Sequence, residues 1–266
     1  MWLIQNALFG DEAGYDNFIA AIDHTGDRRI PLDYVFWEST IDLKLTGTVP
    51  SEVIPFGTRA FVCYGRQHGW CVYWDDSYQY PSLCALGKEF INWDLETAPL
   101  DELEVPDTGK VYIREAAGFN IIKGKVINGY AWPDWVRGFK SNVGVNPRYH
   151  DWHPIDGTTL FVMAPVKTII DEYRVWIIDR KVVSSSQYVV QGKVKYSNTD
   201  NDQYVNGYAQ EIADSLQFGT GNYVLDVFRT EQGLRVGEIN CIHCSGWYAI
   251  DSVKVVEALS SIQCVV

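Results

Sequence analysis

A chain of 266 residues is long enough for one large domain or two smaller ones with a sizeable core. Hydrophobic residues make up 47% and charged residues 21%, which excludes a disordered chain, and aromatics reach 14% without naming a ligand. The 34 acidic against 22 basic residues give a net charge of −12, which argues against duplex nucleic-acid binding by bulk charge but leaves room for a local basic cleft.

The N-terminal "MWLIQNALFGDEAG" has neither a basic leader nor a long apolar core, so no signal peptide is expected. No apolar run approaches the ~20 residues that span a bilayer. The expected location is cytosolic, where the six cysteines read as free thiols. "CIHC" at Cys241–Cys244 raises a zinc or redox reading. A structural zinc site wants four ligands and no second CxxC exists, so these thiols read as loop residues.

Residues 1–105 mix short strands and turns, among them "RAFVCYG" at Arg59–Gly65 and "WCVYWDD" at Trp70–Asp76. The acidic, Pro- and Gly-punctuated stretch Leu100–Lys110 reads as a domain boundary, or as an ordinary surface loop. Lys110–Ile127 reads as a hairpin, and a tight turn at Ala117-Gly118 would set Arg114 and Lys123 on one face. These two cations suit an anion or are simply solvated. Ala131–Gly157 is expected to be loop-rich, with Val136–Lys140 a solvated loop. Thr158–Val166 is a short apolar strand ended by Pro165, and Glu172–Tyr188 a hairpin turning at Asp179-Arg180, with Glu172 and Arg174 on one face. Val205, Tyr208, Ala209, Ile212 and Leu216 follow the helical period, and Ile250–Ile262 reads as a last helix. His68, His150 and His153 lack the spacing of a catalytic zinc site, and Lys193 and Lys195 read as surface charge.

Tyr223–Asn240, "YVLDVFRTEQGLRVGEIN", reads as two strands around a turn at Glu231-Gln232-Gly233. That loop sets Asp226 opposite Glu238, with Asn240 on the same face. Opposed carboxylates with Cβ atoms about 5 Å apart destabilise the pair unless a cation lies between them. A solvated acidic face, or a salt bridge to one carboxylate, is the alternative.

Together these stretches resemble the ATP-grasp superfamily. "EIN" at Glu238–Asn240, preceded by Asp226, is similar to its metal-binding strand pair. "EYRVWIIDRKVVSSSQY" and "VYIREAAGFNIIKGKV" resemble its hairpins, and "FVMAPV" sits where its adenine-contacting strand is expected. "EINCIHCSGWY" is similar to a phage-associated clade defined by two arginines and a lysine. The likeness covers roughly residues 106–260. It departs from many members in having Arg114-Glu115 and a short "AAG" instead of "KP" and a Gly-rich loop, which bears on how the γ-phosphate is covered.

The resemblance implies an α+β fold in which two lobes with antiparallel sheets sandwich a nucleotide. Lobe one spans about 106–166 and lobe two about 167–266, and a smaller N-terminal α/β pre-ATP-grasp-like domain, 1–105, precedes them. It implies an amide-forming ligase using ATP and Mg²⁺, located in the host cytoplasm if phage-encoded, with a carboxylate substrate and an amine acceptor such as a peptide or protein. Mg²⁺ falls to Asp226, Glu238 and Asn240. Phosphate contacts and catalysis fall to Arg114, Lys123 and Arg174, the rest of the nucleotide to Met163, Ala164, Val166 and Glu172, and the acceptor end to His243, Ser245 and Tyr248. The competing readings are an aromatic-rich carbohydrate- or peptide-binding protein with a structural cation, and a glycosidase using Asp226 and Glu238. The basic trio favours the nucleotide. The substrate pair, the role of the N-terminal part and the oligomeric state are not written in the residues.

Overall fold

The computed structural model describes residues 1–5, 12–32, 53–74, 78–105, 108–116, 124–143, 157–216 and 219–262. The chain forms two compact units, Met1–Asp76 with Ile169–Val266, and Ser77–Thr168.

The first unit opens with β1 (Trp2–Gln5), helix α1 (Glu12–Thr25), β2 (Arg29–Leu32) and β3 (Ile54–Phe56), in a parallel sheet ordered β2-β1-β3. All four residues of β1 are buried, as a strand covered on both faces requires. Helix α1 buries Phe18, Ala21 and Ile22 on one side. Arg59–Gln67 is helix α2, not the strand expected from its aromatic and β-branched residues. Thr58 caps it, accepting from the Phe61 amide at 3.4 Å, and Phe61 and Val62 are buried. Here a cap and packing override β-propensity.

The second unit contains α3 (Tyr80–Leu83), β4 (Glu96–Pro99), β5 (Lys110–Glu115), β6 (Lys125–Asn128), α4 (Trp132–Val143) and β7 (Leu160–Pro165). Its antiparallel sheet is ordered β4-β7-β5-β6. Strand β4 thus joins this sheet although it precedes residue 106. The pairing of β5 with β6 runs from Lys110↔Asn128 to Ile113↔Lys125, a register that a two-residue turn at Ala117-Gly118 cannot produce. Helix α4 replaces the expected loop. Trp132, Trp135, Val136 and Phe139 recur at the helical period and pack on the core of Leu103, Ile113, Phe161 and Met163. The Pro and Gly residues around that stripe hide it from a reading of the sequence.

The first unit then resumes with β8 (Asp171–Ile178), β9 (Lys181–Val190), β10 (Lys193–Asn198), α5 (Gln203–Ser215), β11 (Tyr223–Thr230), β12 (Gly233–Asn240) and α6 (Ser252–Ser261). Its five strands are antiparallel, ordered β10-β9-β8-β11-β12. Asp179 and Arg180 turn the β8–β9 hairpin with φ of 49° and 60°, the handedness a tight hairpin needs. Asp202 caps α5 by accepting from the amides of Tyr204 and Val205, both at 3.1 Å, and Asp251 caps α6. The core gathers Trp2, Phe18, Phe56, Trp176, Val224, Trp247, Val255 and Val256. The reading of every cysteine as a free thiol is corrected at buried Cys71, which is disulfide-bonded. Cys63, Cys84, Cys241 and Cys244 are free, and Cys264 lies outside the described residues. Sequence spacing carries no information about a bridge between residues that only the fold brings together.

Candidate functional site

Strand β11 lies between β8 and β12, and this order builds the site. Asp226 pairs with Glu238 on β12 and with Arg174 on β8. The Asp226–Glu238 register arises in two steps. Glu231 and Gln232 turn the chain so that Thr230 pairs with Gly233, whose φ is 107°. A register shift then absorbs Gly237 between Val227 and Asp226. A Cβ on Gly237 would come within 2.3 Å of the Phe228 ring, so glycine there lets the ring lie over the shift.

Arg174 grips Asp226 with both arms. Its Nε donates to Oδ1 and its Nη2 to Oδ2, each at 2.8 Å. Asn240 Nδ2 donates to Asp226 Oδ2 at 3.0 Å and to Glu238 Oε1 at 3.1 Å, so one amide bridges both carboxylates. Asp226 is 1% exposed and Arg174 8%. Burial pushes the Asp226 carboxyl up, to about 7, with Arg174 opposing and Glu238 adding to the rise. Burial also works against the Arg174 charge, but Asp226 outweighs it and holds the guanidinium well above its ordinary value. A guanidinium stays protonated throughout, so Asp226 carries the cost of burial.

Around this pair stand Glu172, Tyr188 and Tyr248. Burial raises the Glu172 carboxyl, and a hydrogen bond from the Tyr188 hydroxyl opposes that rise. Burial and the Asp226 charge push the Tyr188 phenol far up, keeping it a donor. The Arg174 guanidinium lies 4.7 Å from the Tyr248 ring centre and 5.4 Å from that of Tyr188. Each residue of the segment "SGWY" has a physical role. Ser245 Oγ donates to the Cys241 carbonyl at 2.7 Å. A Cβ on Gly246 would lie 3.1 Å from Tyr248 and 3.4 Å from Arg174 Nη1. Trp247 is core, and Tyr248 takes φ of 49° to reach Arg174.

His243, read as a candidate for the acceptor end, is 1% exposed with both ring nitrogens engaged. Nδ1 donates to the Pro55 carbonyl at 2.7 Å, and Nε2 accepts from the Tyr73 amide at 2.8 Å. It ties the end of β12 to the N-terminal sheet. Burial pushes its pKa down to about 4 from 6.5. The folded state therefore binds fewer protons than the unfolded one between these values. That stability is present above about 6.5 and is lost as pH falls toward 4, ~3 kcal/mol in all. Urea denaturation of the His243→Gln variant should show a smaller pH slope across this window than the parent. An unchanged slope would contradict the buried neutral imidazole.

In the second unit Arg114, 5% exposed, sits on β5 opposite Val162, its guanidinium 4.2 Å from the Tyr80 ring centre. Met163 pairs with Ile113 and Glu96, and Ala164 with Tyr112, along β7. Val166 follows and is 41% exposed. Lys123 lies outside the described residues. Tyr188 and Tyr80, the aromatic partners of the two arginines, escape a sequence reading, because a lone tyrosine carries no signal for the cation it will meet.

Among the described residues no group of three or more His, Cys, Asp or Glu could hold a metal, and no helix is long and apolar enough to cross a membrane. The oxygens available beside Asp226 nevertheless suit Mg²⁺, which takes one or two protein carboxylates and fills its shell with phosphates and water. The Asn240 amide, turned over, offers its oxygen where it now offers hydrogens. A cation would also relieve the raised Asp226 carboxyl.

A central strand carrying Asp226 beside the Glu238–Asn240 strand, together with a parallel N-terminal sheet, belongs to a known class: the chain has the ATP-grasp fold. Residues 130–259 match an ATP-grasp domain family, the third of the clade named for two arginines and a lysine. Among solved structures the chain is similar to a D-cycloserine synthetase, with 13% identity, a TM-score of 0.61 and coverage of 97% of this chain and 98% of that one. It is similar to a D-alanine–D-alanine ligase from Bacillus anthracis at 11% identity and a TM-score of 0.52, covering 97% and 91%. A RimK domain ATP-grasp protein from Sphaerobacter thermophilus also matches at 11% and 0.52, covering 90% of each chain. At these identities the likeness is one of fold. No curated protein matches by sequence.

Proposed function

We propose that the protein is an ATP-dependent ligase that joins a carboxylate to an amine, with Mg²⁺ held by Asp226, Glu238 and Asn240. The observation that carries this reading is the bridged Asp226–Asn240–Glu238 set, backed by Arg174 on the neighbouring strand. Two proteins sharing the fold, a D-cycloserine synthetase and a D-alanine–D-alanine ligase, agree with it. The bound metal would neutralise phosphate oxygens.

The residues of this chain divide the remaining work. In the ligand-free protein Arg174 and Asp226 satisfy one another. Nucleotide binding exchanges these partners, leaving Asp226 for the cation and Arg174 for a phosphate oxygen. Such charge-assisted contacts are the strong ones. Tyr248 and Tyr188 keep the guanidinium positioned during the exchange, and Glu172, fixed by Tyr188, faces the same site. Arg114 and Lys123 are proposed as further phosphate ligands, with Met163, Ala164 and Val166 for adenine. A substrate carboxylate oxygen attacks the γ-phosphorus and ADP leaves. The amine then adds to the resulting acylphosphate, expelling phosphate and leaving an amide. Phosphoryl transfer asks mainly for positioning and charge stabilisation, so the lack of a protein nucleophile fits. Ser245 and Tyr248 remain proposed for the acceptor end, with His243 acting only as the tie that holds their segment.

Saturating ATP with Mg²⁺ should raise the melting temperature by roughly 5 °C or more, since a ligand near 100 times its Kd adds about 2.7 kcal/mol. Glu238→Gln should remove the Mg²⁺-dependent part of that shift. Unchanged melting at millimolar ATP-Mg²⁺, with no heat by calorimetry, would sink the proposal.

A further inference from the structure

Strand β10 is an open edge. Among the described residues it pairs only with β9, and Lys193, Val194, Lys195 and Tyr196 are all exposed, Val194 to 72% and Tyr196 to 42%. In a chain of net charge −12, β10 carries two lysines and no acid. Edge lysines often serve only to keep strands from pairing with other chains. That role does not account for the exposed Val194, nor for where Tyr196 goes. The register shifts between Val194 and Ser197, and such a shift re-aims a side chain. The Tyr196 ring stacks on Tyr248 at 4.9 Å and 19°, and Tyr248 stacks on Tyr188 at 5.0 Å and 22°. The Arg174 guanidinium lies against the same Tyr248 ring. Three stacked rings therefore lead without interruption from the open edge to the Arg174–Asp226 pair.

We infer that β10 is the docking edge for an acidic, extended peptide segment. The peptide adds as a strand beside β10, its main chain bonding the open edge, and its carboxylates meet Lys193 and Lys195. Strand addition takes affinity from the main chain and specificity from alternate side chains, and β10 offers both. One acidic side chain then lies along the tyrosine stack toward the site, which gives the ligase its carboxylate. This inference rests on the ligase reading and names its substrate class.

Fluorescence anisotropy with a labelled ten-residue peptide of alternating Glu and Val tests it. The parent protein should bind this probe and not its Lys–Val counterpart. Affinity should fall about ten-fold or more in the Lys193→Glu/Lys195→Glu variant, and as far when alternate amides of the probe are N-methylated. Tyr196→Ala should weaken binding too. The melting shift with ATP-Mg²⁺ should persist in the double-lysine variant, so failure of the docking edge is separable from failure of the nucleotide reading. Equal binding by parent and double variant, equal binding of the N-methylated probe, or no binding at all would overturn the inference. Light scattering that showed a dimer abolished by the double-lysine substitution would overturn it as well, by assigning the edge to a second copy.

Discussion

Asp226→Ala should lower the unfolding free energy by about 3–5 kcal/mol, because it leaves the Arg174 guanidinium buried without its partner. Arg174 is 8% exposed and gives two 2.8 Å hydrogen bonds to that carboxylate, and the ring faces of Tyr248 and Tyr188 replace little of them. Taken alone, the opposed carboxylates of Asp226 and Glu238 suggest the reverse, a ligand-free protein relieved by losing a charge. The guanidinium on the other flank of β11 reverses the sign for Asp226. Glu238 pairs in register with Asp226 and accepts from Asn240 Nδ2, a bond that a glutamine oxygen keeps, so Glu238→Gln should cost far less than Asp226→Ala. Urea unfolding of both variants without nucleotide, with the metal chelated, separates the cases. An Arg174→Met/Asp226→Leu double variant should recover most of the loss, since apolar replacement of a complete buried pair is often neutral. A loss below about 1 kcal/mol for Asp226→Ala would mean that the pair does not hold the sheet.

Trp247→Ala should cost a similar amount, about 3–5 kcal/mol, for a different reason. Trp247 is 2% exposed, stacked 4.1 Å from Phe18 and tilted 4.5 Å from Trp176, with Phe56 edge-on at 5.6 Å. It joins α1, β3 and β8 in one core, and truncation would leave a cavity that these rigid rings cannot close. Its neighbour Tyr248 lies against Arg174, so the variant should also lose nucleotide affinity in the fraction that remains folded. Denaturant midpoints measure the first effect and calorimetry with ATP-Mg²⁺ the second. A stability loss under about 1 kcal/mol would show that this core repacks.

Local patterns are legible in the residues. The Asp179-Arg180 turn, the period of α5, and the strands on either side of Glu231-Gln232 all depend on neighbours a few positions away. The juxtaposition of Asp226 with Glu238 belongs to this group, although the chain reaches it through a register shift at Gly237 that alternation does not reveal. Helix α4 is written in its Trp132, Trp135, Val136 and Phe139 stripe and hidden by the Pro and Gly around it.

Tertiary structure alone decides the rest. Arg174 meets Asp226 because β11 inserts between β8 and β12, a pairing across 52 positions that no local period encodes. His243 becomes a neutral tie because the Pro55 carbonyl, 188 positions away, closes over its ring. Tyr248, Tyr188 and Tyr196 form one stack only when a loop, a central strand and an edge strand converge. Residue type and spacing determine which side chains carry charge and which segments form strands. Which charge faces which is set by strand order and burial, whose energies arise only once distant segments exclude water together.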